Sequence, residues 1–296
     1  MAFADHHPVV CFGEVLWDIL PSGSVPGGAP INVAYHLHKL GKEPALITRV
    51  GYDKEGMDLV KIFSSYQVCT DFFQVDYEYE TGKVLGRPGE AGDMTYEIMA
   101  PSAWDHIHWD EGFTALADGC EYLVFGSLAA RSKVSRDTLF RLLSTAKRRV
   151  LDINLRAPFY SKGLIEELMG NCDVLKLNLD ELDLLTGWFS NYPSVQDRVM
   201  AISERFDIGT VVVTMGAEGA MLYDGGIFYQ HKGYSVRVVD TVGAGDAFLA
   251  GFIKCLLEGV RGQAALQFAG SMGAFVAGCA GACPVYEMEE IFNIQS

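Results

Sequence analysis

The segment Asp240-Thr241-Val242-Gly243-Ala244-Gly245-Asp246-Ala247-Phe248 sets glycines and a carboxylate at the head of an apolar helical pattern running through Phe252 and Leu256 to Gly259. Glycines there let a ligand approach the main chain and turn several N–H groups toward one point, so Gly243, Ala244 and Gly245 can form an anion hole. Phosphoryl transfer needs such a hole for the charge on the moving oxygens, and an acceptor for the proton of the attacking hydroxyl. Asp246, in the first helical turn, can be that acceptor. An acid in this place also stabilises its own helix through the dipole, and the segment alone does not choose between the two roles.

A second glycine turn, Pro26-Gly27-Gly28-Ala29-Pro30-Ile31-Asn32, also opens a helix. Gly27 and Gly28 can admit a small polar ligand to the backbone, and Asn32 offers it both a donor and an acceptor; a simple turn is the alternative. Asp18, read as a strand end, can hold vicinal hydroxyls or cap a turn. Asn178-Leu179-Asp180-Glu181 reads as an N-cap with its capping-box acid, or as a place where Glu181 shares in holding hydrated Mg²⁺ beside phosphates. Thr214, Gly216 and Gly219 either border a nucleotide or close a tight hairpin before Ala220–Tyr223. Arg156, in Asp152-Ile153-Asn154-Leu155-Arg156, faces a phosphate or pairs with an acid.

The elements that must position these residues alternate. Short β-branched runs at Val9–Phe12, Ala45–Val50, Tyr122–Phe125, Val150–Ile153, Val174–Leu177 and Thr210–Thr214 are separated by helical patterns, the form of a largely parallel sheet covered on both faces. Pro30 can begin a helix carrying Val33, Leu37 and Leu40 on one face, with Gly41 closing it. Ser135 is the expected N-cap of a helix running toward Lys147. Two stretches, about 16–26 and 72–100, lack helical periodicity and predict β-ribbons that project as a small sheet, a form suited to a lid that excludes water.

Bulk properties narrow the partners. A net charge of −15 over 296 residues disfavours nucleic acid and anionic membranes, and means that any phosphate ligand must be neutralised locally. Seven scattered cysteines, with Cys279 and Cys283 lacking a second ligand pair, predict reduced thiols in a cytoplasm and no zinc site. The apolar run Ala264–Cys283 is interrupted at Gln267 and Ser271 and lacks aromatic and cationic flanks, so a packed helix is expected in place of a membrane span. No basic segment followed by an apolar one opens the sequence, which predicts no signal peptide. No Gly-x-Gly-x-x-Gly follows the first strand, which argues against a dinucleotide oxidoreductase.

In this order along the chain, the Gly27-Gly28 to Gly41 segment, Asp152 to Arg156, Asn178 to Glu181, Thr214 to Gly219 and Asp240 to Phe248 resemble the ribokinase-like (PfkB) carbohydrate kinases. Gly28-Ala29-Pro30 with Asn32-Val33-Ala34, Gly126-Ser127-Leu128, Asn154-Leu155-Arg156, Lys176-Leu177-Asn178, Tyr96-Glu97-Ile98 and Ala103-Trp104-Asp105 are most similar to the bacterial fructokinases. The resemblance implies one three-layer α/β/α domain over 1–296 with a mainly parallel central sheet and a β-sheet lid. It implies an ATP-dependent kinase acting on a primary sugar hydroxyl, fructose to fructose 6-phosphate. Asp246 is then the base, with Asp18, Gly27, Gly28, Asn32 and Arg156 on the sugar, Asn178, Thr214, Gly216 and Gly219 on the nucleotide, Glu181 toward Mg²⁺ through water, and Asp240 beside a monovalent cation such as K⁺. Pairing of two chains through their lids is a further expectation. Val84-Leu85-Gly86-Arg87-Pro88 departs from the expected lid pattern, because Pro88 cannot donate to a ladder. That departure keeps other acceptors open: ribose or another furanose, 2-keto-3-deoxygluconate, or a nucleoside. A non-catalytic sugar-binding homologue is the alternative from another class.

Overall fold

The structure is a computed structural model that describes residues 7–21, 23–88 and 94–295. Its strands are β1 (Val9–Phe12), β2 (Leu16–Leu20), β3 (Gly23–Gly27), β4 (Ala45–Gly51), β5 (Phe73–Asp76), β6 (Gly82–Pro88), β7 (Met94–Ile98), β8 (Tyr122–Gly126), β9 (Arg149–Asp152), β10 (Val174–Asn178), β11 (Thr210–Thr214), β12 (Ala220–Asp224) and β13 (Ile227–His231). Among the described residues nine of them form one sheet in the order β13-β12-β11-β10-β9-β8-β1-β4-β5. The pairs from β5 to β11 are parallel, and β12 and β13 close one edge as antiparallel strands.

Helices cover both faces. Val9 and Cys11 point into one core with α1 (Ala29–Lys39), α2 (Lys54–Ser65), α8 (Ala244–Leu257), α9 (Gly262–Ala277) and α10 (Met288–Gln295). Val10 and Phe12 point into the other, with α3 (Gly112–Gly119), α4 (Lys133–Leu143), α5 (Lys162–Met169), α6 (Leu179–Gly187) and α7 (Val195–Phe206). Apolar side chains are therefore needed on both sides of each central strand, which explains continuous runs such as Thr210-Val211-Val212-Val213. The apolar run from Ala264 is largely α9, packed in the first core. No described helix is long and apolar enough to cross a membrane.

The small sheet has the order β3-β2-β6-β7, with β2 and β6 parallel and the outer pairs antiparallel. Residues 16–26 contribute β2 and β3, as the ribbon pattern predicts. The second ribbon differs from its expected range of 72–100. Phe73–Asp76 pairs with β4 at the edge of the main sheet, so only β6 and β7 join the small sheet; the stretch 89–93 between them lies outside the described residues. Its alternating residues suit a half-covered edge strand as well as a ribbon, and period alone cannot separate the two. Pro88 ends β6 beyond Leu85, the last residue paired with β2, where the missing N–H costs little.

The helix predictions hold at α1, where Gly41 takes φ +74° and its N–H reaches the His38 carbonyl. They fail at Ser135. Ser132 is the N-cap of α4, and the buried Ser135 hydroxyl donates to the Trp104 carbonyl and accepts from the Ile107 amide. A long-range pairing has taken the side chain that local spacing assigned to a cap.

Candidate active site

Two helix N-termini meet above the carboxyl ends of the central strands. Gly243 caps α8 with φ +78°, and a Cβ there would lie 2.5 Å from the Cβ of Ala282, so only glycine fits. The turn places the Gly245 and Asp246 amides at the head of a helix, where no earlier carbonyl of that helix can take them. Gly28 caps α1 with φ +122° and packs against the carbonyl of Glu14. One turn into α1, Asn32 donates from Nδ2 to Oδ2 of Asp246 at 2.8 Å. A residue from the first glycine turn thus holds one oxygen of the carboxylate beside the second.

A segment that sequence reasoning did not single out clamps this arrangement. The Cys283 thiol donates to Oδ1 of Asn32 at 3.4 Å, the Ala282 carbonyl meets Nε2 of His36 at 2.9 Å, and the Tyr35 hydroxyl donates to the Pro284 carbonyl. Burial lowers His36 to about 4, so its ring is neutral near pH 7. Asp240 joins the clamp: its two oxygens accept the Val242 and Gly281 amides.

Beneath the α8 turn, Nζ of Lys176 and Oδ2 of Asp152 form a buried ion pair at 2.7 Å, and Gly245 packs against that ammonium group. Burial opposes the Lys176 charge, but Asp152, with Asp246 and Glu181 adding, outweighs it and holds the lysine above its ordinary value. Asp246 is pushed up to about 6 by burial and by the Asp152 charge; the Asn32 bond, Lys176 and Arg156 pull the other way. Lys176 and Asp152 were quoted in motifs without roles. A lysine inside the apolar strand Val174–Leu177 is the signal that could have marked them, because a buried ammonium group requires a partner.

Beside the first glycine turn, Asp18 lies within β2, paired with Val25 and Val84, and not at the strand end expected for it. Its Oδ2 occupies the space a Cβ on Gly27 would fill, at 2.3 Å, so Gly27 makes room for the carboxylate. Burial raises Asp18 to about 6, and Arg156 lowers it. Glu14, which sequence reasoning also missed, is buried and accepts the Ala29 amide; burial raises it to about 7. Arg156, exposed on the loop after β9, acts electrostatically on Glu14, Asp18 and Asp246, the acids it was expected either to pair with or to pass over for a phosphate.

Farther along the strand ends, Asn178 and Glu181 form a capping box, and Oε1 of Glu181 also accepts the Leu155 amide at 2.8 Å. Each Glu181 oxygen therefore already takes a main-chain donor. Among the described residues no group of three or more His, Cys, Asp or Glu could hold a metal ion by itself. These residues fit a divalent ion carried on phosphates and water, with Glu181 outside its inner shell. Thr214 sits beside Asn178 in register, and Gly216 and Gly219 form the tight turn between β11 and β12. The main chain at Gly219 passes so close to His231 that a Cβ would lie 1.9 Å from its carbonyl oxygen.

A doubly covered parallel sheet, a small side sheet, and a glycine turn beside a buried acid are together the features of a carbohydrate kinase, and family membership decides the class. The pfkB family carbohydrate kinase model matches residues 22–288, and the chain belongs to that family. It is 30% identical over 313 aligned residues to "Probable fructokinase-6, chloroplastic" of Arabidopsis thaliana, across 95% of this chain and 80% of that one. It is 29% identical to a fructokinase of Escherichia coli across 82% of each. A crystal structure of a double-mutant fructokinase from Vibrio cholerae, with fructose, ADP and potassium ion bound, matches with a TM-score of 0.82 at 25% identity, covering 99% of this chain and all of that one.

Proposed function

We propose that this chain is an ATP-dependent fructokinase, with Asp246 as the base and the Gly243-Ala244-Gly245 turn as the anion hole. The observation that carries the reading is the 2.8 Å bond from Asn32 to Asp246, which joins the sugar-side turn to the proton acceptor. In this reading Asp18, Gly27, Gly28, Asn32 and Arg156 orient the sugar, and the fructokinase relatives support fructose as that sugar. The 6-hydroxyl oxygen attacks the γ-phosphorus while its proton passes to Oδ1 of Asp246. The bond from that phosphorus to the β–γ bridging oxygen breaks, and ADP leaves with the electron pair. Amides at the head of α8 and the Lys176 ammonium group face the charge on the moving oxygens.

Thr214, Gly216, Gly219 and Asn178 border the nucleotide, and Glu181 would help to hold Mg²⁺ through water, the ion supplying positive charge to the β- and γ-phosphates. The Asp240 turn is the proposed neighbour of a monovalent cation, supported by the potassium ion in the Vibrio cholerae fructokinase structure; turnover in KCl several-fold above that in choline chloride is the expected outcome. The small sheet serves as a lid, and all of 1–296 works as one kinase unit. Seven cysteines outside any disulfide support a reducing cytoplasm, and exposed Val25, Tyr96 and Met99 on or beside the small sheet support a homodimer formed there.

Asp246→Asn is expected to lower kcat by about 10²–10⁴-fold, the usual contribution of a positioned base. A variant that kept a tenth of wild-type turnover would overturn the assignment. Coupled assays with ATP and a panel of fructose, ribose, 2-keto-3-deoxygluconate and nucleosides test the acceptor. Better kcat/KM on any of the others would displace fructose.

A further inference from the structure

A cavity of about 680 Å³ opens between the segment leaving the small sheet (99–106), the start of α4 and the segment 158–164. None of the residues placed in the candidate active site lines it, and its volume is that of a small-molecule site. In a chain of net charge −15 its wall is cationic, carrying Arg131 and Arg136. Arg131 is almost wholly buried, sandwiched between the rings of Trp104 and Phe159, with Nε and Nη2 each 2.7 Å from the Asp105 carboxylate. That pairing neutralises the single acid of the wall and leaves Nη1 buried without a hydrogen-bond partner. A guanidinium donor kept dry and unused calls for an acceptor that completes its fork.

Other features converge on the same space. Arg136 has no ion-pair partner among the described residues. The N-cap of α4, Ser132, lines the cavity and its side chain makes no capping bond, so the first-turn amides of α4 lack a side-chain cap at this edge. The lining is also aromatic: Tyr79 stacks on His106 with centroids 3.8 Å apart, and Phe159, stacked on Arg131, and Tyr160 line the same space. Two guanidinium groups and a helix N-terminus suit a dianion, and flat rings suit an organic group.

We propose that this cavity binds a small organic phosphate monoester. Its phosphate takes Arg136, Nη1 of Arg131 and the α4 amides, and its organic part lies on the Tyr79–His106 stack. Nη2 of Arg131 also donates to the Met99 carbonyl at the exit of β7, and residues 157–158 link the aromatic wall to Arg156. Occupancy therefore bears on the sugar side of the active site. That coupling rests on the kinase reading, whereas the binding itself does not.

Phenyl phosphate is the probe. With ADP and fructose saturating, calorimetry on the full chain should show one equivalent bound, weakened at least tenfold by Arg136→Ala and further by Arg136→Glu, with kcat and KM in its absence unchanged. In wild type it should shift the fructose KM at least twofold; the same shift in Arg136→Ala would overturn the coupling. Equal affinity in wild type and Arg136→Ala, or loss of the binding event once ADP is present, would overturn the site. Benzoate or inorganic phosphate bound as tightly as phenyl phosphate would overturn the ligand class.

Discussion

At the scale of single residues, Asp246 carries a cost that its proposed role requires. Its folded value of about 6 lies above the ordinary 3.8, so between those values the folded chain holds a proton that the unfolded chain has released. This group's contribution to stability therefore falls as pH rises from about 4 to 6 and is constant above that window. Asp246→Asn should accordingly raise the melting temperature by a few degrees at pH 7.5 even as it lowers kcat; an unchanged or lower midpoint would contradict a strained carboxylate. In the wild type, kcat/KM should fall about tenfold per pH unit below pH 6, since only the carboxylate accepts a proton. Lys176 presents the opposite case: Lys176→Met leaves the Asp152 charge buried and unpaired and should cost about 3–5 kcal/mol by denaturant unfolding. That pair was hidden in the sequence because its members stand on different strands, and adjacency across a parallel sheet leaves no trace in local spacing.

At the scale of elements, the two glycine turns do the positioning. Gly28→Ala would put a methyl group 2.5 Å from the Glu14 carbonyl oxygen at φ +122°, displacing the start of α1 and with it Asn32. We expect the fructose KM to rise at least tenfold with the ATP KM within twofold, and stability to drop by about 1–3 kcal/mol; equal changes in both KM values would argue against a sugar-side turn. These turns were legible in the sequence because glycine before an apolar helical run is a local, physical signal. So were the core strands, whose two-sided burial writes uninterrupted Val and Leu runs. Ser135 was misplaced because its hydroxyl is claimed by the Trp104 and Ile107 backbone, which is remote in sequence. The clamp at Ala282 to Pro284 was invisible because its contacts are made mainly by main-chain atoms, which carry no residue signature.

At the scale of the whole molecule, the small sheet meets the main body at points that include Trp17 Nε1 donating to the Glu55 carbonyl and Lys83 facing Glu55. If it closes over the sugar, amide exchange in β2 and β6 should slow at least several-fold on adding fructose and ADP together, while β10 and β11 hold steady. Light scattering during size exclusion tests the pairing through this sheet, and a monomer at micromolar concentration would discard it. Both α1 and α8 are packed into one core, and they share the Asn32–Asp246 bond. In the proposed reading, sugar alignment and proton transfer share that foundation, while β2, β3, β6 and β7 form a sheet of their own. If the proposed roles hold, grafting a relative's β2, β3, β6 and β7 should change acceptor preference through Asp18 and Gly27 while leaving the pH dependence assigned to Asp246 as it is.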